Sequence, residues 1–80
     1  MSRSSSTLQV AFGLEVRRQR QLLGISQEEL ARRSGLHRTY VSQIERGLKS
    51  PSLGALADLA SGLNTSAHVL VRAAEEGAQS

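Results

Sequence analysis

Between Ser26 and Gly47 the chain starts and stops two helices in quick succession, and this punctuation limits its architecture more than any other feature. Ser26-Gln-Glu-Glu29 is a capping box, in which the Ser26 hydroxyl and the Glu29 carboxylate can each satisfy an unpaired backbone N–H at a helix start. The helix it opens is short and ends by Ser34-Gly35. After Leu36 a further helix is predicted from about Arg38 to Arg46, with Val41 and Ile44 three apart on one face and Gly47 as its stop. The tight link between these two helices is the informative one.

The rest of the chain reads as longer helices that enclose this pair. Leu8, Phe12, Val16 and Leu23 recur at three- to four-residue spacing, which predicts a first helix over 7–23 with Gly24 at its end. Gly13 inside it costs about 1 kcal/mol relative to alanine, so a close helix contact is expected there. Lys49-Ser-Pro-Ser52 is a loop. Ser52 caps a fourth helix through Leu53, Leu56, Leu59, Ala60 and Leu63, and Asn64-Thr-Ser66 caps a fifth carrying Val69, Leu70, Ala73 and Ala74. Residues 1–6, serine-rich and without periodicity, are expected as a disordered arm, 7–76 as the folded domain and 77–80 as a polar tail. With one Tyr, one Phe and no Trp the composition leans away from strands, and the fold class is all-α, a compact five-helix bundle.

Several functions are excluded at this stage. Eighty residues leave no room for a second domain or a deep substrate cleft. Cysteine is absent, which removes disulfides, thiolate metal sites and cysteine nucleophiles and fits a reducing cytoplasm. His37 and His68 are too few and too isolated for a metal site, and no cofactor is implied. The only aspartate is Asp58 and no nucleophile elbow occurs, so the chain is not expected to be an enzyme. The start of the chain has no signal-peptide core. The first helix, with Arg17, Arg18 and Arg20, has the makings of a basic amphipathic membrane helix, but its apolar side is needed to close the bundle.

The charge is uneven. From Glu15 to Lys49 there are eight basic residues against four acidic, whereas beyond Ser50 only Arg72 stands against Asp58, Glu75 and Glu76. Two short helices joined at a glycine, the second presenting small polar and cationic side chains outward, describe a helix-turn-helix. A helix about 10 to 12 Å across fits the major groove of B-form DNA. With Val41 and Ile44 facing inward, Arg38, Thr39, Ser42 and Gln43 face outward. Arg38 suits a bidentate pair with guanine, Gln43 one with adenine, and Thr39 a thymine methyl or a base-edge hydrogen bond. Ser26 and Gln27 bring backbone N–H groups and an amide to phosphate, and the cationic side chains of Arg46 and Lys49 are expected to meet phosphate from the end of the third helix.

The stretch GISQEELARRSGLHRTYVSQIERGLKSPSL, from Gly24 to Leu53, resembles the Xre/Cro type of helix-turn-helix found in phage repressors and small bacterial regulators. The most specific pieces are SQEELA, the Gly35 turn and VSQIERG closed by SPSL, and the likeness extends over roughly residues 12–72. Within that family RTYVSQIERG is most similar to controller proteins of restriction-modification systems. The resemblance implies a lambda-repressor-like fold in which Arg38, Thr39, Ser42 and Gln43 meet the major groove and Gln27, Tyr40 and Lys49 lie near phosphates. It also implies an Arg20–Glu45 ion pair between the first and third helices. His37 stands at the expected N-cap, on the phosphate side, where many relatives carry Asp, Ser or Thr.

One subunit offers four base-reading side chains, and each good bidentate pair discriminates by about 1 to 3 kcal/mol, short of the roughly 4 to 10 that specific regulators reach. A homodimer on a pseudo-palindromic double-stranded DNA operator is therefore expected. Its interface is placed on the fifth helix, centred on Val69, Leu70 and Ala73, where apolar residues cover more of the circumference than one stripe requires. No small-molecule effector is expected, because no part of the chain remains to build a sensing domain. The alternative is an antitoxin-like module that grips a partner protein as well as DNA, against which the short polar stretch after Glu75 argues.

Overall fold

The computed structural model describes residues 2–79, with side chains for residues 7–79. Five α-helices follow one another: α1 (Ser2–Leu22), α2 (Gln27–Ser34), α3 (Arg38–Glu45), α4 (Leu53–Gly62) and α5 (Ala67–Gln79). No strand occurs among the described residues. Both outer helices run longer than their apolar periodicity. α1 takes in residues 2–6 of the segment expected as a disordered arm, while Met1 lies outside the described residues. Serine inside a helix costs only a fraction of a kcal/mol relative to alanine, so the ladder can pass through a serine run. At the other end α5 continues through Gly77, which lies against Ala11 of α1, so the expected polar tail is helical as far as Gln79 and only Ser80 is undescribed.

The caps of α2 and α4 follow the sequence, whereas at α5 the expected Asn64–Ser66 cap supplies only the Ser66 backbone carbonyl. Ser26 and Ser52 each accept a hydrogen bond from the backbone N–H three residues on, and Gly35 closes α2 in the left-handed conformation. The second half of the expected capping box is not formed. The Glu29 carboxylate turns away from Ser26 and accepts from Arg32 and Arg33, one turn further along α2. Two guanidinium groups within reach outcompete a single neutral N–H, because hydrogen bonds between ionised partners are roughly twice as strong.

The core is a single cluster in which Phe12 and Val16 of α1 meet Leu30, Val41, Ile44, Leu59 and Leu70. α1 packs along α5 and across α3, and α2 fills the space between α3 and α4. Phe12 and Val16 of α1 are used inside the bundle while Val10 and Leu14 stay exposed, and among the described residues no helix is long and apolar enough to cross a bilayer.

The contact anticipated at Gly13 lies where α1 crosses α3. A Cβ added there would sit 2.2 Å from the Ile44 carbonyl oxygen and 3.0 Å from that of Glu45, both backbone atoms that can retreat only if the helices separate. Gly13→Ala should therefore destabilise the domain by about 1 to 3 kcal/mol through overpacking, although alanine is the better helix former by about 1 kcal/mol. Urea melts decide the sign, and a more stable variant would show that the crossing is loose.

Candidate nucleic-acid interface

The third helix is held from its inner side and left free on its outer one. Val41 and Ile44 are completely buried, and the Glu45 carboxylate, 2% exposed, is inserted between three elements. Arg20 of α1 approaches it with both arms of its fork, Nε at 2.6 Å from one oxygen and Nη2 at 3.0 Å from the other. The remaining Arg20 nitrogen, Nη1, donates to the Ile25 carbonyl at 2.9 Å in the turn before α2. Gln27, in the first turn of α2, donates its amide to the same carboxylate at 3.0 Å. The pair implied by the resemblance is thus present and binds α1, the α1–α2 turn, α2 and α3 together. Hydrogen bonding to Glu45 raises the pKa of Arg20 further above its already high value, so this charge is permanent.

On the opposite face Arg38 and Thr39 are exposed, and Ser42 and Gln43 are half-buried at its edge. His37 is the N-cap of α3 despite the departure from the family pattern. Its Nδ1 accepts from the Thr39 N–H at 3.1 Å, which leaves Nε2–H as the donor on an exposed side chain. Ser26 is exposed at the start of α2 with its oxygen already accepting from Glu29, so only its O–H and the nearby backbone remain for a phosphate. Gln27 keeps a second amide proton beyond the one given to Glu45. Tyr40 is half-buried with its ring against the core, and Arg46 and Lys49 are exposed at the far end of α3.

The ion pairs separate the structural cations from the available ones. Arg18 is taken by Glu15, Arg20 by Glu45, Arg32 and Arg33 by Glu29, and Arg72 by Glu76. Arg32 and then Arg33 hold the Glu29 carboxyl at about 2, so this group stays ionised at neutral pH. Among the described residues, the Lys and Arg side chains without a carboxylate partner are Arg17, Arg38, Arg46 and Lys49. Three of these four lie on α3 or directly after it. No group of three or more potential metal ligands occurs among the described residues.

The expected dimer contact needs correction. Leu70 is completely buried, because the row Ala67, Leu70 and Ala74 on α5 faces the core. Val69, 39% exposed, and the half-buried Ala73 form the next row and remain at the surface. Periodicity had marked a broad apolar arc on α5 without telling which row α1 and α4 would cover.

A helix-turn-helix family model matches residues 16–70. Among known proteins, an HTH-type transcriptional regulator of Mycobacterium tuberculosis is 45% identical over 58 residues. That match takes in 72% of this chain, which spans only 41% of the relative's length. The restriction-modification controller protein C.AhdI from Aeromonas hydrophila superposes with a TM-score of 0.74 at 43% identity, covering 76% of this chain and 92% of that one. The controller protein C.Esp1396I, solved as a tetramer in complex with its natural 35 base-pair operator, gives 0.82 at 29% identity over 91% of this chain and 96% of that one.

Glu45→Gln should lower stability by about 3 kcal/mol, the lower end for a broken buried pair because the Arg20 side chain is still 13% exposed. In a domain of this size that corresponds to a fall of more than about 10 °C in melting midpoint. An unchanged midpoint would mean that the carboxylate contributes nothing as an ion.

Proposed function

This chain belongs to the helix-turn-helix family, and from that premise we propose that it is a sequence-specific DNA-binding transcriptional regulator acting as a restriction-modification controller protein does. The reading is carried by one observation. The α3 face bearing Arg38, Thr39, Ser42 and Gln43 stays open, whereas among the described side chains the arginines on the other helices are, with the exception of Arg17, engaged by carboxylates. Its likeness to a controller protein seated on an operator supports the same conclusion.

In the proposed complex α3 enters the major groove and its N-terminal half reads bases. Arg38 forks onto guanine O6 and N7, Gln43 pairs with adenine, and Thr39 and Ser42 address the neighbouring base edges. Phosphates are met by the second amide proton of Gln27, the Nε2–H of His37, the Ser26 end of α2, Tyr40, Arg46 and Lys49. Glu45 takes no part in contact. Its role is to hold Gln27 and α3 in one orientation, so that base and phosphate contacts form in the same register.

Two copies act together on a pseudo-palindromic operator, with Val69 and Ala73 at their contact and the two α3 helices about 34 Å apart. The protein works in the cytoplasm and without a small-molecule effector, so that occupancy follows its own concentration through dimerisation.

Arg38→Ala and Gln43→Ala should each reduce operator affinity by about 1 to 3 kcal/mol and relax the base preference at one position per half-site, with little effect on nonspecific binding. Titration against single-base operator variants tests this, and unchanged preferences in both would contradict the docking. Lys49→Ala should instead weaken binding about equally across sequences and flatten the salt dependence by roughly one counterion per subunit. A change in the preferred base on removing Lys49 would overturn its assignment to phosphate.

A further inference from the structure

The exposed end of α3 has a tether that the base-reading and phosphate-binding residues do not account for. The Gln9 side chain of α1 donates its amide to the Gly47 carbonyl oxygen at 2.8 Å, across 38 residues of sequence. Gly47 itself is in the left-handed conformation, φ +74°, and a Cβ there would meet Val10 Cγ2 at 3.1 Å and Val10 Cα at 3.2 Å. Four residues along α1 lies Gly13, against the carbonyls of Ile44 and Glu45. One face of α1 therefore cradles the last turn of α3 and the residue after it, and Gln9 adds a tie to Gly47 beyond the Arg20–Glu45 pair.

The turn so tied is flanked by cations. Arg46 immediately precedes Gly47 and Lys49 follows two residues later, both exposed and without a carboxylate partner. Val10 packs against Gly47, and the Gln9 amide is the side-chain hydrogen bond that Gly47 receives. Leu48 N–H bonds back to the Gln43 carbonyl and Gly47 N–H to that of Ile44, contacts that close the helix and leave the Gly47 carbonyl to the Gln9 amide. We propose that Gln9 is a positioning residue for phosphate binding, which fixes the Arg46–Lys49 turn against α1 so that Lys49 meets the DNA backbone without first being ordered. A cation held in place loses less conformational entropy on binding than one on a loose turn, and this gain appears in affinity for any duplex rather than in base preference. The proposal rests on the DNA-binding reading given above.

The test is a double-mutant cycle read by salt-dependent titration of the full chain against operator and unrelated duplexes. Gln9→Met keeps the length of the side chain and removes the donor. It should weaken binding to both duplexes several-fold and lower the salt slope by up to about one counterion per subunit. Gln9→Asn, which keeps the amide but withdraws it by one methylene, should do the same and serves if the methionine variant folds poorly by circular dichroism. In a Lys49→Ala background either Gln9 change should cost less than about twofold more, because the residue it positions is gone. If Gln9 variants bind like the wild type while Lys49→Ala shows its loss, or if the two losses simply multiply, Gln9 is no positioning residue for Lys49. If the wild type binds no duplex in a salt-dependent way, it is the DNA-binding reading itself that falls.

Discussion

The structure turns on one buried carboxylate. Glu45 sits at the last position of α3 with almost no access to water, and ionised groups in that position are tolerated only when charge and hydrogen bonds are both supplied. Arg20 supplies the charge through two arms and Gln27 a further N–H. Because those donors come from α1 and α2, satisfying the carboxylate dictates where three helices stand relative to each other. A hydrophobic residue of similar size could fill the space without imposing that geometry. The ion pair therefore serves orientation as well as stability: the outer face of α3 can be polar and free because its inner face is fixed so firmly.

A division of labour among the arginines follows. Short-range pairs along one helix, Arg18 with Glu15 and Arg32 and Arg33 with Glu29, neutralise cations that sequence alone places beside those of α3 on equal terms. The pairs on Glu29, open to water, contribute little to stability, whereas Glu15 is the buried member of its pair. Their effect is on the electrostatic surface, where, with Arg17 on α1 as the exception, the described cations without carboxylate partners are Arg38, Arg46 and Lys49, on α3 or directly after it. A net charge of +3 spread evenly would steer weakly, whereas unpaired cations gathered at and just after α3 mark a face for an anionic partner.

Much of the fold was legible in the chain because its signals are local. The Ser26 and Ser52 caps, the Gly35 turn and the spacing of Val41 and Ile44 each act within one or two turns, and each is found where sequence reasoning puts it. The outward placement of Arg38 and Thr39 follows from the same periodicity. What escaped depends on contacts between distant segments or on competition between partners. Glu29 had three possible donors within reach and chose the charged ones. Leu70 and Val69 are equally apolar neighbours, and only the packing of α5 decides that one is core and the other surface. The Gln9 tether spans 38 residues of sequence and has no local signature, although Gly47 as a helix stop marked the turn it holds. The Arg20–Glu45 pair also lies between distant residues, and it was anticipated only through the likeness of the whole segment to a known family.

The central claim is that α3, fixed by Glu45, reads a specific base sequence from two copies of the chain. Selection of bound duplexes from a random double-stranded library, followed by sequencing, measures this most directly. The account predicts enrichment of an inverted repeat whose half-site centres lie about 10 to 10.5 base pairs apart or a multiple of that, with guanine and adenine among the fixed positions of each half. Retention of duplexes without any enriched sequence, lost uniformly as salt is raised, would contradict it and leave only a charged surface that binds DNA indiscriminately.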